Sequence, residues 1–325
     1  MEIRTFAAGD GDAVRRLWNR TIEREKAGSP WYVESFRLSD ERLARIFSDA
    51  NFDPEGFCVA RDEGTLIGLA RSVVKTVKSY PEEDPEVLPA YLEGLLVEPG
   101  HRRRGVGSAL LERVEEYALA RGKAALRISR YRSAIQGVGV LPETPEHRFL
   151  AARGFEPEGG TELMLRLDVE KFEFRPEVRD LRRRLADEGV EIRYYEPSDF
   201  KSLERLMVRH HARWWYFNYR PILTGPNPLP MLVAVEGEHV VGFIGWVHVG
   251  TNRRAGFSPG VDLEYRGRGI GKALCNTWAE EVRRLGAWES VITVGSPNAP
   301  ARKIYLDMGF QQIGEFFANM VKRLA

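Results

Sequence analysis

Two stretches of this 325-residue chain combine arginine and closely spaced glycine in a way that suits an anion. Residues 101–111 read HRRRGVGSALL and residues 265–275 read YRGRGIGKALC, so the order R-x-x-G-x-G occurs twice. Arg102, Gly105 and Gly107 carry it in the first copy, and Arg266, Gly269 and Gly271 in the second. Each copy follows an apolar, strand-like run (LLVEPG, GVDLEY) and opens a helix-like one. Glycine lets backbone N–H groups close on a bulky ligand, and the first turn of a helix adds unpaired donors and the positive end of its dipole. A pyrophosphate fits such a turn; taken singly, either copy fits a plain glycine-rich turn before a packed helix equally well. The G-x-G-x-x-G order of a dinucleotide fold, with its downstream acidic residue, is not in register, and no Walker loop ending occurs in context.

The elements that must position these turns are themselves repeated. MEIRTFAAGDGDAVRRLWNR, at residues 1–20, matches VEIRYYEPSDFKSLERLMVR, from Val190, at seven positions: Glu2/Glu191, Ile3/Ile192, Arg4/Arg193, Asp10/Asp199, Arg16/Arg205, Leu17/Leu206 and Arg20/Arg209. Each reads as a short strand, a polar turn able to cap a helix, and an amphipathic helix. LAARGF, ending at Phe155, and LDMGF, ending at Phe310, form a third pair in the same order. Three ordered matches point to a duplication, with about two dozen extra residues between the first and second matches of the N-terminal copy. Strands are expected at 57–61, 66–76 and 91–97 and at 232–235, 240–249 and 255–261, with Gly64 and Gly237 in the tight turns. A helix, a strand, a second helix and a closing strand follow in each copy. The expected domains are residues 1–168 and 190–325, joined by 169–189, where Pro176, Gly189 and the spacing of Val178, Leu181 and Leu185 predict a docking helix.

Both halves resemble the GNAT superfamily of N-acetyltransferases, on a strand ending in Val97 or Val261, an acidic neighbour (Glu98, Asp262), the R-x-x-G-x-G turn and a helix closing on Gly-Phe. The resemblance implies an α/β fold of two GNAT-like domains, each a mixed, mostly antiparallel sheet flanked by helices. It implies acetyl-CoA as acyl donor, its pantetheine arm along the strand and its pyrophosphate in the turn. The first copy would supply Leu95, Leu96, Val97, Arg102, Arg103, Arg104, Gly105, Val106, Gly107 and Ser108. The second would supply Val261, Arg266, Gly267, Arg268, Gly269, Ile270, Gly271 and Lys272. In SPNAPARKIYLDMGF, Asn298 matches the residue of the family that meets the cofactor arm, and Tyr305 the phenol able to protonate the leaving thiolate. PETPEHRFLAARGF, aligned on its Gly-Phe, has Glu143 and Leu150 at those places, so the first copy departs from the pattern. Glu93, in YLEGLLV, stands where some members carry a carboxylate that contacts or deprotonates the acceptor amine; Phe257 takes that place in the second copy. Tyr305 as a core ring and Glu93 as a solvated strand residue are the alternatives.

Composition narrows the partners. With 48 Lys and Arg against 47 Asp and Glu, the formal charge is +1, which gives no footprint for nucleic acid or an anionic membrane, and Arg182, Arg183 and Arg184 are diluted by Asp180, Asp187 and Glu188. The two cysteines, Cys58 and Cys275, suggest neither a disulfide framework nor a metal clip, and the six histidines have no ligand spacing. No metal is expected. No apolar run is long enough to span a bilayer and the first residues read as a strand rather than a leader, so a cytoplasmic protein is expected. The aromatic segment HHARWWYFNYRP, residues 210–221, suggests a domain interface before an acceptor site. The expected activity is acetyl transfer to a primary amine of a small molecule or peptide, with a non-catalytic acyl-CoA-binding or sensing protein as the alternative. The acceptor and the oligomeric state are open.

Overall fold

The computed structural model describes residues 1–25, 37–128 and 139–324. They form two compact units, one of Met1–Lys78, Glu82–Thr161 and Phe316–Ala325, the other of Ser79–Pro81 and Glu162–Glu315. These limits differ from the boundaries expected at residues 168 and 190. The reason is a reciprocal exchange of closing strands, described unit by unit below.

In the first unit, β1 (Glu2–Thr5), β2 (Phe57–Asp62), β3 (Thr65–Val73), β4 (Ala90–Val97), β5 (Ala125–Ile128) and β6 (Glu156–Pro157) belong to one seven-stranded sheet. Its remaining strand, β15 (Met320–Arg323), comes from the end of the chain and lies between β5 and β6, antiparallel to both. Helix α1 (Gly11–Glu25) buries Val14, Leu17, Trp18 and Ile22, spaced along one helical face, and α2 (Asp40–Phe47) adds Leu43 and Ile46. Both pack on one face of the sheet, around Phe57, Val59 and Leu69. The other face, with Cys58, Ala60 and Ala70, meets α3 (Val106–Ala120) and Leu150 of α4 (Pro145–Ala151). The alternation of odd and even residues between the two cores is the period of a strand.

The second unit repeats this plan. β8 (Val190–Tyr194), β9 (Met231–Glu236), β10 (His239–Gly245) and β12 (Ser258–Val261) form a four-stranded sheet in the order β12-β10-β9-β8. A second sheet, β11-β13-β7-β14, contains β11 (Arg254–Ala255), β13 (Glu289–Gly295) and β14 (Gln311–Phe317), with β7 (Thr161–Asp168) from the first half of the sequence between β13 and β14. Helix α5 (Pro176–Asp187), within the expected linker, belongs to this unit, where it buries Val178 and Leu185. Helix α6 (Phe200–Trp214) packs Leu203, Leu206 and Met207 against Met231, Val233 and Phe243, while α7 (Ile270–Arg284) lies on the opposite core with Leu232, Ala234 and Ile244. Helix α8 (Ala299–Asp307) follows β13.

The residues shared by the first repeat do the same work in both units. Arg4 donates two bonds to the Asp10 carboxylate, at 2.7 and 2.8 Å, and Arg193 does the same to Asp199 at the same distances. Each buried carboxylate also accepts a backbone N–H, from Ala7 and from Glu196, which fixes the entry to the following helix. Hydrogen bonding to Arg4 holds Asp10 below the usual carboxylate range.

Candidate acyl-CoA sites

In each unit a strand separates from its parallel neighbour. Among the described residues, β4 pairs with β5 at Ala90/Leu126 and Tyr91/Arg127. In the second unit, β11 pairs with β13 at Arg254/Glu289 and Ala255/Ser290; the chain then leaves, and β12 forms the edge of the other sheet. Register says which backbone groups face the opening. Glu98 N–H donates to Ile67 and Asp262 N–H to Val241, so Val97 and Val261 stand at positions whose N–H and C=O point away from the sheet. Leu95 shares this outward orientation, whereas its counterpart Pro259 has no N–H to offer. The outward carbonyls of Val97 and Val261 each accept from an arginine Nε, Arg102 at 2.9 Å and Arg266 at 3.4 Å.

The turns have one conformation. Arg103 and Gly105 have φ of 62° and 83°, and Gly267 and Gly269 have 84° and 93°. The first copy holds an ordinary side chain, Arg103, in the left-handed region where the second uses glycine. Gly105 and Gly269 are helix N-caps without a side-chain cap. The first intrahelical bonds of this kind are Ala109 to Gly105 and Ala273 to Gly269, so the N–H groups of Val106, Gly107 and Ser108, and of Ile270, Gly271 and Lys272, precede the helical ladder and point out of the helix. Two alternating left-handed residues and three such N–H groups make an anion-binding concavity, which fits a pyrophosphate. Gly107 and Gly271 form its floor: a Cβ there would touch Val97 and Phe149, or Val261 and Ile304, at 3.5–3.6 Å.

The arginines do not play equal parts. Arg102 is tied to Val97 and pairs with Glu25, so it braces the strand end. Arg103 and Arg104 are exposed and, among the described residues, make no ion pair. Arg268 is bound by Glu236 at 3.0 Å and Glu188 at 3.2 Å, leaving less of its charge for a ligand than the sequence suggests. A cation that sequence reasoning missed is Arg153, which donates to Ser108 Oγ and lies over the Phe149 ring at 5.4 Å. Its place directly before Gly154-Phe155 held no signal of this, because the contact depends on how α4 packs on α3.

Asn298 caps α8, its side-chain oxygen accepting from Ala301 N–H at 3.3 Å, which leaves the amide N–H₂ able to donate. In the first unit the capping residue is Thr144, accepting from His147, and not Glu143. The alignment drawn back from Gly-Phe misses one residue deleted at the start of α4. From that deletion onward the match holds: Phe155 N–H donates to the Leu150 carbonyl as Phe310 N–H does to that of Tyr305.

Tyr305 is 5% exposed and its ring meets Phe257 and Phe310 edge-on or tilted, at 5.5 and 5.8 Å. Burial, helped by Cys275, holds the phenol above its ordinary value, so it keeps its proton at neutral pH. Glu93 is 1% exposed, which excludes a solvated strand residue. It is the extra residue of a β-bulge, since Arg71 pairs with Gly94 and Ser72 with Leu92. Bulges re-aim a side chain, and here the one re-aimed is a carboxylate. Burial pushes the thiols of Cys58 and Cys275 up to about 11 and about 12, so neither is an activated nucleophile.

The aromatic segment expected at an interface builds the second unit's own core. Trp215 and Tyr219 are fully buried with Phe243, and the Tyr219 hydroxyl donates to Ser258 O at 2.7 Å, bracing β12. His211 of the same segment faces Gly260 on that strand. Among the described residues no cluster of His, Cys, Asp and Glu is placed to hold a metal ion, and no helix is long and apolar enough to cross a membrane.

Each unit therefore presents a splayed strand that ends in a glycine-lined turn whose first helical N–H groups lack a side-chain cap. The model of the acetyltransferase (GNAT) family matches residues 17–136 and 192–310, once in each half. The chain belongs to that family and is an N-acetyltransferase. It is 28% identical over 232 residues to a mycothiol acetyltransferase of Geodermatophilus obscurus, covering 66% of this chain and 69% of that one. Its fold is shared with a tandem GNAT protein of the clavulanic acid biosynthesis pathway, at a TM-score of 0.64, 18% identity and coverage of 100% and 98%. It is also shared with a glucosamine N-acetyltransferase region of a fungal multi-domain β-N-acetylglucosaminidase, at a TM-score of 0.73 and 16% identity, where this chain spans 38% of the other.

Proposed function

We propose that the chain transfers an acetyl group from acetyl-CoA to a primary amine of a small molecule or peptide in the cytoplasm, with the chemistry concentrated in the second unit. The observation that carries this reading is Tyr305, a protonated phenol held between Phe257, which immediately precedes β12, and Phe310. Acetyl-CoA, when bound, supplies the thioester. The turn from Arg266 to Lys272 would hold its phosphates, Asn298 its arm, and the outward Val261 N–H would polarise the acyl oxygen. Tyr305 donates a hydrogen bond to the sulfur as charge develops there. Full transfer of its proton would run uphill, because a thiol ionises near about 8.5 and a buried phenol above about 10.

The test is release of free thiol from acetyl-CoA in the presence of a panel of amines. Tyr305→Phe removes one hydroxyl from a ring that stays packed, so turnover is expected to fall by about 10²-fold with CoA affinity nearly unchanged. Full activity in Tyr305→Phe, together with collapse in a folded Leu150→Ala, would move the chemistry to the first unit. For that unit a second reading is favoured by Leu150, which offers no proton beside an otherwise open turn: it binds acyl-CoA without transferring the acyl group.

A further inference from the structure

In the second unit Phe257 fills the place of Glu93, so the proposed reaction lacks a group to take the proton of the incoming amine. We infer that His211 is the general base of the second unit, accepting that proton on Nε2; this rests on the acetyl transfer proposed above.

The geometry begins with a break in α6. His211 leaves helical backbone angles, at φ −145° and ψ 38°, and a turn of π-helix follows at Trp215–Tyr219. Such irregularities turn a side chain away from the helix's regular face. Here they set the imidazole flat on Trp214, at 5.1 Å and 16°, and against the edge of Phe243, at 5.8 Å and 82°. The ring then reaches β12: a Cβ built on Gly260 would stand 3.1 Å from His211 Nε2. Gly260 precedes Val261, whose N–H faces the opening between the strands. Only glycine leaves this approach clear, since the same Cβ would also meet the Phe243 ring at 2.4 Å.

Phe243 belongs to the core beneath α6, and Tyr305 to the core on the other face, with α7. The imidazole and the phenol therefore approach the edge strand from opposite faces. An amine entering on one side of an acyl group while sulfur departs on the other needs its base and its hydrogen-bond donor arranged in this way.

The titratable and charged groups facing His211 are His210 on its own helix and Arg266 in the turn; His210 Nε2 in turn lies 3.6 Å from Asp262 Oδ1. Burial first, then the neighbouring His210 and Arg266, hold His211 below the ordinary imidazole value of 6.5, so it is neutral and able to accept a proton at pH 7. In the step itself the amine lone pair forms the C–N bond, and the C–S bond breaks with its electrons passing to sulfur. His211 takes the proton lost by nitrogen and discharges it to solvent. The sulfur, hydrogen-bonded by Tyr305, takes one proton from solvent, and the products are the acetylated amine and free thiol.

The test is His211→Gln in the full chain, which keeps a polar group of similar reach without a base. Turnover is expected to fall by about 10²-fold with unchanged CoA affinity, and the acidic limb of the wild-type pH profile of kcat/KM, with its midpoint below 6.5, to disappear. Turnover within about twofold of wild type, or survival of that limb, would overturn the inference. A readout without turnover is the His211 ring resonance in NMR, expected to move when acetyl-CoA is added and not when it is added to Gly271→Glu. If calorimetry shows acetyl-CoA bound at the second turn and the resonance does not move, His211 is remote from the thioester and the inference falls alone. If no acetyl-CoA binds there, the proposed reaction falls and takes His211 with it.

Discussion

The two turns share a backbone and differ in what surrounds them. In the first unit nothing among the described residues stands within 4 Å of a Cβ built on Gly105, Arg103 and Arg104 are exposed, and Leu95 and Val97 both turn an N–H outward. In the second unit α5 reaches over the turn. Leu181 would lie 2.8 Å from a Cβ on Gly269, Arg184 donates to the Arg268 carbonyl at 3.1 Å, and Pro259 removes one outward donor. The phenol and the histidine, however, belong to the second unit, while the first has Leu150 and a buried carboxylate. The comparison teaches that a duplicated fold can keep one turn backbone in both copies while the cover over the turn and the side chains around it diverge separately.

The largest effect that would break this comparison concerns CoA binding. Gly107→Glu and Gly271→Glu each place a carboxylate where helix N–H groups face a phosphate, reversing a favourable interaction and filling the floor of the turn. Each is expected to weaken binding at its own unit by about tenfold or more, leaving the other intact, as read by calorimetric stoichiometry. Because its turn is open, the first unit is expected to be the tighter site. One CoA per chain, abolished by a single one of these substitutions, would confine binding to one unit.

Much of this was legible in the sequence. The paired residues Arg4/Arg193 and Asp10/Asp199 announced a repeat, since a bidentate ion pair at a helix entry requires both partners at a fixed interval. The turns were readable because glycine and arginine types carry their backbone requirement with them. Three things were not readable. The exchange of β7 and β15 depends on which sheet edge each strand meets, and ladder hydrogen bonds carry no side-chain signature. The capping role of Thr144 was hidden by a one-residue deletion that leaves the Gly-Phe alignment intact. His211 lies in the 210–221 segment, whose residue types suggest an aromatic interface; only the local break in α6 turns it toward β12.

A smaller effect sharpens the contrast at the acceptor side. Glu93 sits in the β4 bulge, while Phe257, its counterpart in the sequence, stands just before β12, so Glu93→Gln tests whether the first unit has any acceptor chemistry. If it does, acceptor KM is expected to change by about fivefold to tenfold, the scale of one charged hydrogen bond, with CoA affinity unmoved. Parallel losses of stability, CoA binding and turnover would make Glu93 a buried structural carboxylate instead.

The smallest effect is a difference between two stability changes. Gly105→Ala and Gly269→Ala both force a side chain into the left-handed region, at φ of 83° and 93°, which costs roughly 1–2 kcal/mol in each. At Gly105 the new methyl group meets none of the described residues within 4 Å, so that strain is the expected effect. At Gly269 it also meets Leu181 Cδ1 and Cδ2 at 2.8 and 3.2 Å, and α5 cannot retreat freely because Val178 and Leu185 anchor it in the core. The Leu181 side chain must turn aside, adding about 1 kcal/mol of overpacking. Chemical denaturation of the two variants beside wild type measures the difference, and a larger loss for Gly269→Ala is expected. Equal losses would mean that Leu181 yields without cost and that the cover over the second turn is loosely held, which removes the reason for ranking the first unit as the tighter site.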